Sequence, residues 1–130
     1  MIRPVALEIA ELRGWRASGP VALDRPVTVL VGDNGRGKSS TLAAIEWCLF
    51  GREVEGVKGT GIAERNDWEV RRREAGRHDT VVRLTLATSD GQAVVSRCRP
   101  AGAKASAADL VEVTLPDGRT VEGAAAAAWL

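Results

Sequence analysis

Lys38 and Ser39 close the run Gly32-Asp33-Asn34-Gly35-Arg36-Gly37-Lys38-Ser39, which fits the pattern G-x-x-x-x-G-K-[ST]. Residues of these types at this spacing are suited to gripping a polyphosphate and its metal ion. Gly32, Gly35 and Gly37 let the backbone turn tightly and approach an anion with no Cβ in between. The amides that follow, up to Ser40, then form an anion-binding nest at the start of a helix, where the helix dipole adds partial positive charge. Lys38 supplies a mobile ammonium for the outer phosphates, and the Ser39 hydroxyl suits one position in an octahedral Mg²⁺ shell. The Ser40 hydroxyl is a further candidate, for the innermost phosphate. The plain alternative is a glycine-rich turn that starts an ordinary helix and leaves Lys38 solvated.

Such a loop needs a strand before it and a helix after it. Val27-Thr28-Val29-Leu30-Val31 is a β-branched apolar run and reads as a short buried strand. Ser40 to Phe50 contains no Gly or Pro, is rich in Ala, Leu and Ile, and is closed by Gly51. That is a helix with its stop signal.

Around this unit the pattern changes several times. Val5, Leu7 and Ile9 alternate with Ala6, Glu8 and Ala10, which predicts a first strand with one inward face. Glu11 to Gly19 reads as a connecting loop, and Pro20 to Leu23 as a short second strand. Residues 51 to 79 carry five glycines, mixed charges and Trp68, and are expected to be irregular, with a short helix possible near Ile62 to Arg73. Thr80, Val82, Leu84 and Leu86 then line one face, Ser89-Asp90-Gly91 turns the chain, and Ala93 to Arg99 runs back. A second hairpin joins Leu110–Leu115 to Arg119–Val121 through Pro116-Asp117-Gly118. Between the hairpins, Pro100 to Ala108 is a linker of small residues. Ala124 to Leu130 is strong helix former that stops with no cap, and so reads as interrupted.

Composition sets limits. The 130 residues are expected to form one domain, and 18 basic against 17 acidic residues leave a formal charge of +1. No global charge therefore points to a nucleic acid or a membrane surface. No apolar run reaches the ~20 residues of a membrane span, and no signal-peptide pattern is present, so the expected compartment is the cytoplasm. Cys48 and Cys98 are read as two buried reduced thiols. His78 is the only histidine, which removes the usual Cys/His zinc sites. Between 52 and 79, seven basic residues are matched by seven acidic ones. Arg71-Arg72-Arg73 is thus read first as part of a solvated, balanced segment and second as a DNA-phosphate contact. Trp47 is assigned to the core; Trp15 and Trp68 are the candidates to cover a base.

The order of elements separates families. A doubly wound kinase or GTPase continues in alternating strands and helices, whereas hairpins follow here. A guanine-reading Asn-Lys-x-Asp element is also missing, since Asn34 and Asn66 precede Gly and Asp. The loop Gly32-x-Asn34-Gly35-x-Gly37-Lys38-Ser39-Ser40, the helix Ala44-Ile45-Glu46-Trp47-x-Leu49-Phe50-Gly51, and a first strand ending near Glu11-Leu12-Arg13-Gly14-Trp15 resemble the N-terminal ATPase lobe of the SMC/RecF/SbcC group. Within that group the SbcC-type repair ATPases look nearest. The resemblance is most specific over residues 28 to 51 and looser over the first strand and the hairpin at 80–99.

It implies an α/β lobe of the P-loop NTPase kind, with a mixed or antiparallel-rich sheet around one phosphate-loop helix. It also implies ATP and Mg²⁺ bound along Asn34 to Ser40. Arg13 matches the arginine that ends the family's first strand, near the nucleotide; Arg16 is the alternative, and a solvated loop arginine is the competing reading of both. Glu46 is read as structural and Arg36 as surface. The departures are equally specific. No four apolar residues precede an Asp in the manner of a Walker B strand, no Gly-Gly offers an ABC signature, and the only glutamine, Gln92, lies in a hairpin turn. In the family these parts belong to a C-terminal lobe. The expectation is half an active site, completed by such a lobe in the same chain or in trans, with ATP then joining two heads. DNA, and a partner nuclease, are implied for the whole protein, in repair, chromosome maintenance or phage defence. A nucleotide-dependent scaffold or clamp is the alternative, and a small-molecule kinase the least favoured.

Overall fold

The computed structural model describes residues 1–33, 37–51, 74–103 and 108–130. Seven strands form one sheet in the order β2-β1-β4-β5-β6-β7, with β3 also paired to β1. They are β1 (Arg3–Leu12), β2 (Trp15–Ala17), β3 (Val21–Ala22), β4 (Thr80–Thr88), β5 (Gly91–Arg99), β6 (Leu110–Thr114) and β7 (Thr120–Glu122). Helix α1 (Lys38–Phe50) lies between β3 and β4 in sequence, and α2 (Gly123–Trp129) follows β7. Every pairing is antiparallel.

Alternation in sequence becomes sidedness in the sheet. Leu7, Leu84, Val95, Val113 and Val121 stand opposite one another from β1 to β7 and make one continuous apolar row. With Ile9, Leu12, Val82 and Leu86 they meet Ala44, Trp47 and Cys48 of α1 and Ala126 of α2 in one core. Thr41, Ala44 and Cys48 recur at helical spacing, which turns one stripe of α1 to the sheet. Residues of the other parity, Glu8, Arg83, Ser96, Glu112 and Glu122, form the opposed row on the face turned away from α1.

Both hairpins form as the sequence predicts. In the second, the Asp117 carboxylate accepts from the Arg119 backbone N–H at 3.0 Å and from Arg119 Nε at 2.6 Å. These bonds hold the Asp117 carboxyl below its ordinary pKa. The first strand is longer than its alternating core, running to Leu12. The stretch expected to be a loop contains β2, because Leu12 and Ala10 pair with Trp15 and Ala17 across a tight turn. The expected helix at Ile62–Arg73 lies outside the described residues, as does most of the charge-balanced segment.

One expectation is overturned. Val27 to Val31 is not a buried strand: the segment has no strand structure, and Val27, Val29 and Val31 are 76%, 73% and 90% exposed. A β-branched run becomes a strand only where a neighbour offers a ladder of N–H and C=O groups. Here one edge of β1 is taken by β4 and the other by β2 and β3. Cys98 also departs from expectation. It is half-exposed on the outer face, while Cys48 is buried.

Candidate phosphate-binding site

Gly37 is the residue on which the site turns. Its φ of +89° is left-handed, and a Cβ built on it would meet Trp15 Nε1 at 3.0 Å. Glycine is required there for both reasons. Helix α1 begins at the next residue, Lys38, and the Lys38 ammonium reaches back to donate to the Gly32 carbonyl. Lysine carries three donors on a flexible stem, so this bond draws the two ends of the loop together without exhausting the ammonium.

The first turn of α1 has no side-chain cap among the described residues and no acidic residue. Its free N–H groups and the positive end of the dipole therefore remain available to an anion. The other end is treated differently. Gly51, with φ +72°, donates its N–H to the Trp47 carbonyl at 2.8 Å, and Arg97 Nε donates to the Cys48 carbonyl at 3.0 Å. A cation from β5 thus complements the negative end of α1.

Trp15 ties β2 to the same first turn. Its Nε1–H donates to Thr41 Oγ1 at 3.1 Å, and that hydroxyl donates to the Gly37 carbonyl at 2.8 Å. The indole N–H is thus already engaged, in a contact that composition cannot reveal.

Of the residues predicted for the site, Arg13, Gly32, Gly37, Lys38, Ser39 and Ser40 are described, and the structure brings Gly32, Gly37 and Lys38 together. Ser39 is exposed in the first turn and Ser40 half-buried. Asn34, Gly35 and Arg36 lie outside the described residues. Arg13 sits in the turn between β1 and β2 with a left-handed φ of 46°, and Glu11, before it, with φ 54°. Side-chain bonds hold this corner: the Thr80 hydroxyl donates to the Glu11 carbonyl at 2.9 Å.

Sequence reasoning missed Trp15 as a partner of Thr41, and Arg97 altogether. Arg97 has the inward parity of Ala93 and Val95, and a charge on an apolar parity is a legible signal. It is half-buried. Burial pulls its guanidinium below the ordinary value while Asp109 acts in the opposite direction. Asp109 approaches Arg97 at 3.8 Å and Arg99 at 2.7 Å. Among the described residues no three His, Cys, Asp or Glu side chains cluster to hold a metal. No described helix is long and apolar enough to cross a membrane. A cavity of about 600 Å³, lined by Arg83, Cys98, Glu112 and Glu122, opens on the outer face.

A family model described as an AAA domain matches residues 6–118, from β1 to the turn of the second hairpin. No curated protein matches the chain. That match takes in the glycine-loop sequence and the strands from β1 to β6, and membership implies ATP, usually with Mg²⁺. The chain belongs to the AAA domain family, whose members are nucleotide-binding, ATPase-like proteins.

Proposed function

We propose that this chain is the nucleotide-gripping N-terminal half of an ATPase head of the SMC/RecF/SbcC kind, binding ATP with Mg²⁺ through the loop that ends in Lys38 and Ser39. The observation that carries the reading is the junction at Gly37. A left-handed glycine leads directly into a helix whose first residue is a lysine bonded back to Gly32. A helix start that no described side chain caps, with an ammonium held beside it, fits a polyphosphate.

The donor set suits the group. Lys38 would meet the outer phosphates, the amides of the first turn of α1 would hold the inner ones, and Ser39 would give Mg²⁺ a hard oxygen ligand. Bound there, Mg²⁺ would neutralise phosphate charge. Ser40 and Arg13 remain candidates for the inner phosphate and the nucleotide's edge.

A docked C-terminal lobe is supported by apolar surface. Val27, Val29 and Val31 are exposed, as are Leu42 at 61% and Phe50 at 54%. Exposed apolar groups in such number accompany binding surfaces. Head-to-head pairing on ATP, and a setting in DNA repair, DNA maintenance or phage defence, rest on the resemblance of loop and helix to that group. A clamp that binds ATP and hardly turns it over is the second reading, favoured by the lack of an acidic strand in this chain.

Calorimetry with ATP-Mg²⁺ on the wild type and on Lys38→Ala tests the proposal. Loss of binding with an unchanged melting temperature is expected. Equal affinities would sink it.

A further inference from the structure

We propose that Trp15 is a positioning residue for the phosphate loop, acting through Thr41 on the peptide that joins Gly37 to Lys38. This rests on the reading of the loop as a phosphate site. It assigns Trp15 a role other than covering the base.

The Gly37 carbonyl receives two donors from one residue, Thr41: its backbone N–H at 2.9 Å and its hydroxyl at 2.8 Å. The Thr41 hydroxyl can donate only once, and its donation is fixed toward Gly37 because Trp15 Nε1–H, a donor only, occupies its acceptor side at 3.1 Å. The three groups therefore form a one-way relay, indole to hydroxyl to carbonyl. A trans peptide is planar, so its C=O and N–H point in opposite directions. Locking the Gly37 carbonyl toward the helix interior aims the Lys38 N–H outward, to where the loop amides must converge on a phosphate. The indole also packs against Gly37 where a Cβ would stand, which resists rotation of the same peptide.

The relay makes the grip dependent on β2. Trp15 lies in the strand that pairs with the end of β1, so the sheet edge and the first turn of α1 are joined through one indole. Preorganised amides bind an anion more tightly than amides that must be ordered on binding.

The test uses ATP-Mg²⁺ and inorganic tripolyphosphate-Mg²⁺ as separate probes, with calorimetry and thermal melts on the whole 130-residue chain. Trp15→Phe keeps an aromatic face and removes the N–H; Thr41→Val removes the hydroxyl at nearly constant volume; Thr41→Ser retains it. Trp15→Phe and Thr41→Val are each expected to weaken both probes by roughly three- to tenfold, the range of one hydrogen bond. The double variant should be no weaker than Thr41→Val alone, and Thr41→Ser should bind as the wild type does. If Trp15→Phe lowers the melting temperature, the Val and Ser variants at position 41 carry the comparison. Unchanged affinity in Thr41→Val, in a protein whose binding is lost in Lys38→Ala, would overturn the relay and leave the phosphate site standing. A loss confined to ATP and absent for tripolyphosphate would assign Trp15 to the base and overturn it as well. Wild type that binds neither probe would remove the site, and the relay with it.

Discussion

Arg97 Nε and the carbonyl oxygen of Cys48 lie 3.0 Å apart, although 49 residues separate them in sequence. The guanidinium also stands 6.0 Å from the centre of the Trp47 ring and 3.8 Å from the Asp109 carboxylate. One side chain thus fastens the end of α1 to the sheet while its partner carboxylate is kept out of solvent. Arg97→Met should lower stability by about 2–3 kcal/mol, because it leaves a helix carbonyl and Asp109 short of a donor. Arg97→Lys should recover only part of this, since an ammonium cannot fork between two acceptors in one plane. Urea unfolding of the three proteins measures both; equal midpoints would show that the contact is incidental.

Ser39 stands exposed in the first turn of α1. Ser39→Ala removes one hard oxygen, and the gain in ATP affinity on adding Mg²⁺ should shrink while affinity for metal-free ATP stays the same. Titrations with and without Mg²⁺ separate the two. An identical Mg²⁺ response in both proteins would reduce Ser39 to a helix-start residue.

Turnover by this chain should stay near background, since no acidic strand supplies a residue to position water. Multiple-turnover phosphate release from the purified chain, abolished by Lys38→Ala, would show that one of its own carboxylates acts in that role. Adding a matching C-terminal lobe in trans should raise the rate.

Cys48 should make stability fall at high pH. Burial pushes its thiol up to about 12 from an ordinary 9.0, with Arg97 opposing the shift. Between those values the folded chain keeps a proton that the unfolded chain has lost, so the unfolded state binds fewer protons and stability declines as pH rises. Urea midpoints from about pH 8 to about pH 10.5 should drop, and Cys48→Ala should flatten the drop. At the lower pH a thiol reagent should reach half-exposed Cys98 before Cys48. An unchanged slope in Cys48→Ala would assign the decline elsewhere, first to Cys98, whose thiol burial also raises.

Much of the sheet could be read directly. The parity of Thr80, Val82, Leu84 and Leu86 is a local property, and Asp-Gly between two alternating runs dictates a turn wherever the chain goes. The helix after Gly37 was equally legible, because its composition and its Gly51 stop are local. Val27 to Val31 failed for a definable reason. Composition records that a segment favours burial; it does not record which strand edge is free to receive it. The Trp15–Thr41 contact joins residues 26 apart, and the Arg97–Cys48 bond joins two elements whose docking must be known first. Parity alone would have placed Arg97 inward, which is as far as sequence goes.

The registers also impose a timetable on the chain. Strands β4 to β7 pair in sequence order, each with the one just made, β4 with β5 and β6 with β7 across short turns. β1 must instead find β4, bringing Ala10 beside Val81, and the closure entropy of that span is larger. Pairings of low sequence separation close at the lower entropic cost, so the meander is expected to precede the docking of β1 and α1. Synthesis runs in the opposite direction: β1 and the glycine loop leave the ribosome while β4 has yet to be made. The residues of the phosphate loop are thus made before β4 and β5, the strands on which their helix packs.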